Sequence, residues 1–399
     1  ARPSPTVEGL NERARQRCGS VSAACDHQNV NQTIVPPYLL LRLTELEDPE
    51  LAPVAEAARK SLALDAPFRV ARVGETPPPA ARTPRRTPRR RAAAPRALEG
   101  PHRTIFDAGN TEALPGTVAR KEGSEPVDDD ALNEAYDGFG QTHTLFHDAF
   151  GRASIDDNNL PLLGTVHYGK DYDNAFWNGE RMVFGDGDGI VFRRFTASLS
   201  VIGHELAHGV TQHSANLTYQ GQSGALNESV SDVFGALVEQ HSLGQSAAKA
   251  SWLIGAGLFT DRVKGTALRS MKAPGTAYDD DVLGKDPQPA TMDDYIDTAD
   301  DNGGVHLNSG IPNRAFYLTA RSIGGNAWEG AGRIWYDTIT AGSIRADCDF
   351  AQFAAATADV ASARFGVGSA EHDAVAEAWA TVGVTWDAPA ATAQSGGRR

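Results

Sequence analysis

The chain has 399 residues, enough for two or three domains with sizeable cores, and its 41% hydrophobic share is that of an ordinary soluble globular protein. The net charge of −14 is unevenly spread, because Arg82, Arg85, Arg86, Arg89, Arg90, Arg91 and Arg96 crowd one short stretch and leave the remainder more acidic still. An acidic body argues against general nucleic-acid binding. No apolar run approaches the ~18 residues needed to span a bilayer, and the cysteines Cys18, Cys25 and Cys348 cannot form a disulfide framework.

The start, Ala-Arg-Pro-Ser-Pro, has neither an initiating Met nor the apolar core of a signal peptide, so either a leader is missing from this sequence or there never was one. Residues 1–75 read as a small region of their own. Val35-Pro-Pro-Tyr-Leu-Leu-Leu-Arg-Leu43 is its most apolar part, and the two prolines suggest an extended entry into a strand or short helix. Residues 50–63 are rich in helix formers. So short a segment has little core of its own and is expected to lean on something else. Cys18, Cys25 and His27 could bind metal, but free thiols are the simpler reading.

Residues 76–102, with Pro-Pro-Pro and then repeated Thr-Pro-Arg-Arg, read as an exposed, protease-sensitive linker, with a polyanion-binding arm as the competing reading. A new domain begins at Arg103. Helix-like spacing runs from Asn133 to Phe150, and Gly164–Gly169 and Arg181–Gly185 look like strands. The Asp186-Gly-Asp-Gly189 tetrapeptide suggests a hairpin turn. This mostly β half leads into a helix at 199–213.

That helix contains Gly203-His-Glu-Leu-Ala-His208, in which His204 and His208, four residues apart, project from one face. Two imidazoles so placed can bind one zinc ion, with Glu205 beside the open position as a base. A second helix at about 224–241 carries an apolar stripe of Leu226, Val230, Val233, Phe234 and Leu237, while Glu228 and Asp232 lie on another face. Beyond 250 the chain reads as largely helical, with an acidic loop region at 279–301 and an amphipathic terminal helix at 371–379.

Gly203-His-Glu-Leu-Ala-His-Gly-Val210, Gly224-Ala-Leu-Asn-Glu-Ser-Val-Ser-Asp232 and Asp301-Asn-Gly-Gly-Val-His-Leu-Asn-Ser-Gly310 closely resemble the site motifs of the thermolysin-like metalloproteases. Asn174-Ala-Phe-Trp-Asn-Gly179 and Gly185-Asp-Gly-Asp-Gly189 match that family's substrate-edge strand and turn, and the resemblance runs from about 103 to 386. Pro36-Pro37-Tyr38-Leu39-Leu40 is similar to the short propeptide signature of the protealysin subgroup.

Carried over by position, the resemblance implies His204, His208 and Glu228 as zinc ligands, with a fourth position open for water. Glu205 then takes the water's proton and passes it to the leaving amine. Asp232 is implied to hold the free N–H of His204. Tyr219 and His306 match the oxyanion partners, with Asp301 orienting His306. Asn174 and the backbone at Ala175 resemble the groups that hold substrate as an added strand, and Arg269 the arginine that grips a substrate carbonyl beside the scissile bond. Phe192, Phe195, Val201 and Leu268 align with an apolar specificity pocket, implying cleavage before large hydrophobic residues; core packing alone would also explain them.

The implied fold is α+β and thermolysin-like: a β-rich N-terminal lobe at 103–213, a helical C-terminal lobe at 214–387, the active-site helix between them, and a flexible tail at 388–399. The implied protein is a zinc endopeptidase precursor, activated by removal of the propeptide somewhere in 72–100. Its partners are protein or peptide substrates and its own propeptide, not nucleic acid or membrane. Relatives are mostly secreted, which implies an extracellular role by a route the sequence does not display, with an intracellular one as the alternative. The rivals are a catalytically silent peptide-binding protein on the same fold and an adaptor working through the Arg-rich linker. The paired calcium site of thermolysin itself aligns with Ser200, Glu239, Ser251, Leu253 and Ala256; one carboxylate cannot supply the six to eight oxygen ligands that calcium takes, so that site is expected to be absent. Asp128–Asp130 and Asp279–Asp281 are left open as independent calcium sites.

Overall fold

The computed structural model describes residues 32–70 and 100–386. Cys18, Cys25, His27, most of the Arg-rich linker and the 388–399 tail lie outside the described residues.

The N-terminal lobe is built on a six-stranded sheet in the order β1-β5-β6-β4-β2-β3. Its strands are β1 (Gln32–Thr33), β2 (Arg103–Thr111), β3 (Thr117–Lys121), β4 (Leu162–Tyr168), β5 (Ala175–Trp177) and β6 (Met182–Phe184). The long helix α3 (Asp130–Phe150) packs against β2 and β4. The Asp129 side chain caps its start, accepting from the Leu132 amide, and Gly151 ends it at φ 67°.

Before α3 come two helices of the N-terminal region, α1 (Pro37–Thr44) and α2 (Ala52–Val70). Pro37 opens α1 at the first helical position, where a missing N–H costs nothing. The described part of this region shares the core of the rest of the chain. Ile34, Val35, Leu39, Leu40, Leu43, Leu51, Val54 and Ala58 are all buried in the main hydrophobic core. Strand β1 completes the sheet edge along β5, pairing Thr33 with Phe176 and Gln32 with Trp177 in antiparallel register.

Helices α4 (Leu199–Gln212) and α5 (Gly221–Leu243) lie buried at the junction of the lobes. The chain then ends in α6 (Asp301–Asn308), α7 (Gly310–Ile323), α8 (Ala331–Thr340), α9 (Phe350–Phe365) and α10 (Ala370–Thr381). Trp335 and Trp379 stack at the centre of this helical lobe with ring centroids 6.1 Å apart.

Two expectations need correction. Asp186–Gly189 is not a hairpin turn, because the partners of β6 are β5 and β4. Instead Asp188 Oδ1 accepts from the amides of Ile190, Val191 and Phe192, turning the chain toward α4 without a ladder. Nor is the chain helical directly beyond 250: residues 253–300 hold the short pairs β7 (Leu253–Ile254) with β8 (Arg269–Ser270) and β9 (Asp279–Asp280) with β10 (Gly284–Lys285), isolated bridges at Phe259 and between Gly265 and Tyr278, and a single 3-10 turn. Gly255, Gly257, Gly265, Pro274, Gly275, Gly284, Pro287 and Pro289 interrupt any 3.6-residue period there.

Candidate active site

The centre is made by the close approach of α4 and α5. A Cβ on Gly203 would lie 3.0 Å from the Gly235 Cα, and one on Gly235 would crowd the Ser200 carbonyl oxygen and sit 3.0 Å from the His204 amide nitrogen. Only paired glycines allow the backbones to meet this way. Their contact sets His204 and His208 of one helix against Glu228 and Asp232 of the other, all fully buried.

Hydrogen bonds fix both imidazole tautomers. Burial opposes ionisation of Asp232, but Arg269 and His204 outweigh it and hold the carboxyl well below the usual range. It is therefore an acceptor, and His204 Nδ1 donates to its Oδ1 at 2.8 Å. Arg269 grips the same carboxylate at 2.7 and 2.8 Å, and Asn313 donates to it at 2.8 Å. Asn227 Nδ2 donates to the Leu217 carbonyl, which leaves its Oδ1 to accept from His208 Nδ1 at 2.9 Å. Ser231 Oγ lies at 2.9 Å from the same nitrogen. Burial and the neighbouring His204 push the His208 pKa well down, keeping that ring neutral.

With both Nδ1 atoms protonated, both Nε2 atoms carry lone pairs, and they face each other at 3.0 Å. Glu228 completes the group, with oxygens 3.5 and 3.6 Å from the two nitrogens. Its Oε2 is buried without a hydrogen-bond partner. Two lone pairs and a carboxylate converging out of water repel one another unless a cation lies between them. The donor set, two neutral imidazoles and one carboxylate, fits zinc. Both Glu205 oxygens are buried, and burial, then the neighbouring Glu228, push its carboxyl well up against the opposing pull of the Trp177 backbone.

On the opposite wall, Asp301, Asn302, Gly303 and Gly304 all have positive φ, between 51° and 82°, forming a left-handed turn before the right-handed helix resumes. Asn and Asp tolerate this conformation better than other non-glycine residues. The turn folds Asp301 back so that it accepts from the His306 amide at 2.9 Å and from His306 Nδ1 at 2.7 Å. Tyr219 donates to Glu228 Oε1 and lies 3.3 Å from His306 Nε2. Burial alone would lower the His306 pKa, but Asp301 and Glu228 reverse that and raise it.

The segment 32–35 runs through this cleft, and every backbone polar group around Ile34 has a partner. The Thr33 carbonyl accepts from His306 Nε2 at 2.9 Å. The Ile34 amide donates to the Ala175 carbonyl at 3.1 Å, and the Ile34 carbonyl accepts from Arg269 at 2.9 Å. The Val35 amide donates to Asn174 Oδ1 at 2.9 Å. His306, Ala175, Arg269 and Asn174 thus all touch one extended strand. Phe192, Phe195, Val201 and Leu268 are fully buried in the main core, with the Phe192 and Phe195 rings 5.7 Å apart.

Residues 100–212 match the sequence profile described as thermolysin metallopeptidase, catalytic domain, and residues 215–384 the one described as its alpha-helical domain. The chain belongs to the thermolysin metallopeptidase family. It is 55% identical over 283 residues to an extracellular metalloprotease of Pectobacterium carotovorum subsp. carotovorum, covering 71% of this chain and 81% of that one. It is 50% identical over 285 residues to protease PrtS of Photorhabdus sp. (strain Az29), covering 71% and 76%. Among solved structures, the precursor of protealysin from Serratia proteamaculans superposes with a TM-score of 0.78 at 49% identity, covering 89% of this chain and all of that one. Like its family, this thermolysin-type protein is a zinc-dependent endopeptidase with a β-rich lobe and a helical lobe, of the protealysin type that has a propeptide. A catalytically silent protein on this fold is not favoured. No helix among the described residues is long and apolar enough to cross a membrane.

Sequence reasoning missed Asn227, Ser231 and Asn313, which hold His208 and Asp232. Asn227 was within reach, since each zinc-binding imidazole needs an acceptor for its other nitrogen and Asn227 directly precedes Glu228. Nothing in the sequence pointed to Asp65, whose carboxylate accepts from Tyr172 at 2.7 Å and Asn174 at 2.9 Å.

Proposed function

We propose that the chain is a zymogen whose one catalytic zinc is held by His204, His208 and Glu228, and that it cuts peptide bonds before large hydrophobic residues. The observation that carries this reading is the pair of buried imidazole lone pairs 3.0 Å apart beside the Glu228 carboxylate. When bound, the ion polarises the substrate carbonyl and acidifies a water. Asn174, Ala175 and Arg269 hold the substrate as an added strand. His306 donates to the scissile carbonyl oxygen as charge develops, Tyr219 assists it, and Asp301 keeps the imidazole aimed. Glu205, buried beside the three ligands, accepts the water's proton as a carboxylate and returns it to the leaving nitrogen. Phe192, Phe195, Val201 and Leu268 form the wall that selects the residue after the cut.

The N-terminal region to about residue 75 acts as the propeptide, lying across the cleft until cleavage in 72–100 frees it. Relatives that bear the name extracellular metalloprotease support a secreted role. The thermolysin-type paired calcium site is absent. The test is Glu205→Gln: zinc content and melting temperature should match the wild type while peptide hydrolysis falls by at least about a hundredfold. Retention of more than a few per cent of kcat would remove Glu205 from the base role. The Glu205→Gln chain should also fail to mature when purified alone.

A further inference from the structure

We infer that the Thr33–Ile34 bond is itself a cleavage site, cut by the chain's own active centre before the linker is released. This rests on the endopeptidase reading above. The segment does not merely cover the cleft; it lies antiparallel on β5 with the Thr33 carbonyl against His306. The Thr33 carbonyl oxygen is 2.9 Å from His306 Nε2, the group that would stabilise developing charge, and Tyr219 stands 3.3 Å from the same nitrogen. On the far side of the bond, the Ile34 carbonyl is held by Arg269 and the Val35 amide by Asn174. The bond in question is thus clamped on both sides, and its strand is held by four separate hydrogen bonds. An intramolecular reaction from such a geometry gains the large effective concentration of a preassembled pair.

The step balances as ordinary hydrolysis. A water oxygen bonds to the Thr33 carbonyl carbon, and Glu205 takes one of its protons. The C–N bond to Ile34 then breaks as that proton passes to the Ile34 nitrogen, the second proton of the attacking water follows it from the new carboxyl group, and the products are a Thr33 carboxylate and an Ile34 ammonium. Among the described residues on the amino side, Gln32 and Thr33 are held by the short β1 pairing and the His306 contact, and the piece ending in Thr33 is expected to leave. Residues from Ile34 onward stay, because Arg269, Asn174 and the Asp65 contacts all grip that side, so this cut alone does not open the site.

The full chain, purified and then given zinc, is followed by intact mass and terminal sequencing over a hundredfold range of dilution, beside a hydrophobic peptide substrate. We expect a species beginning at Ile34 and a released piece ending in Thr33, forming at a rate independent of concentration and absent in Glu205→Gln. Ile34→Leu should keep this cut and Ile34→Asp should lose it. As a readout apart from turnover, Ile34→Asp should also bring faster release of the N-terminal region in hydrogen exchange of the Glu205→Gln background. If the chain hydrolyses the peptide and matures while Thr33–Ile34 stays joined, or if the cut slows with dilution, the inference fails and the endopeptidase reading stands. If the zinc-loaded chain cuts neither bond nor peptide, both fail.

Discussion

Asn174 and Asp65, 109 residues apart in sequence, are joined by a hydrogen bond of 2.9 Å in a fully buried setting. Asn174 is the side chain whose Oδ1 accepts from the Val35 amide, and Asp65 belongs to the N-terminal helix α2. Helix α2 therefore holds directly the side chain that also accepts from the Val35 amide, while Tyr172 and Ser61 tie the same helix to the neighbouring residues. Loss of the Asp65 carboxylate removes two buried hydrogen bonds, each costing roughly 1–3 kcal/mol, and leaves Asn174 Nδ2 with the longer 3.4 Å bond to the Val35 carbonyl. Asp65→Ala should mature at least about tenfold faster than the wild type in a gel time course, with the mature enzyme unchanged in kcat. An unchanged maturation rate would show that α2 contributes no grip.

The second acceptor network predicts zinc affinity. Asn227 holds His208 in the tautomer that leaves Nε2 free, and Ser231 stands at the same distance from Nδ1 as a partial substitute. Removing such a partner costs about 10–100-fold in metal affinity. Asn227→Ala should weaken zinc binding by about tenfold, measured by competition with a chromogenic chelator, and Asn227→Ala with Ser231→Ala by about a hundredfold. Equal affinities for the two variants would mean that Ser231 has no part in fixing the ring.

The sequence carried the centre because helical spacing is arithmetic: His204 and His208 must share a face, and Glu228 and Asp232 must share another. It did not carry the contact between those faces. That depends on Gly203 meeting Gly235, and a lone glycine in a helix reads only as a weakness until its neighbour is known. The left-handed turn at Asp301–Gly304 was half legible, since Gly303-Gly304 announced a tight approach but not that Asp301 would fold back to His306. Asp188 shows the opposite failure. A glycine-rich acidic tetrapeptide resembles a hairpin, yet three backbone amides took its carboxylate and no ladder formed. The Val35–Leu43 run showed that the N-terminal region needed a partner surface; its seat on β5 rests on backbone hydrogen bonds, which no side-chain pattern records.

His167 gives a pH dependence away from the metal centre. Its two ring nitrogens lie 2.9 Å from Asp186 and 3.0 Å from Asp129, so both must donate and the ring is an imidazolium. The Asp186 hydrogen bond foremost, against the opposing effect of burial and with help from Asp129, raises its pKa to about 9. A raised histidine pKa stabilises the fold fully below the unfolded value of about 6.5, and that contribution is lost as pH climbs through the folded value. For a half-buried group it is worth on the order of 1 kcal/mol after solvent screening. His167→Gln should therefore melt several degrees below the wild type at pH 6, and the gap should narrow by pH 9.5. A gap that holds constant across that range would mean the ring acts through packing alone.

Calcium is the remaining prediction. The α5 residue Glu239 is the one carboxylate among the aligned positions of the paired site, and in the fold it faces hydroxyls in place of other carboxylates. Ser251 Oγ donates to it at 3.3 Å, while Ser200 Oγ accepts from the Gly255 amide at 3.1 Å and lies 3.2 Å from Ser198 Oγ. Burial raises the Glu239 carboxyl against the pull of the Ser251 and Ser200 hydroxyls, and one carboxylate among hydroxyls falls short of the six to eight oxygens that calcium takes. Leu253 and Ala256 bring no side-chain oxygen. The local structure is already satisfied by hydrogen bonds, so removing calcium should take nothing from it. A calcium-selective chelator should shift the melting temperature by less than about a degree, whereas loss of a ligand bound at a hundredfold its Kd would cost about 2.7 kcal/mol and several degrees. A zinc chelator should abolish hydrolysis in the same preparation. A large drop in melting temperature that calcium reverses, and that Glu239→Gln removes, would overturn the expectation.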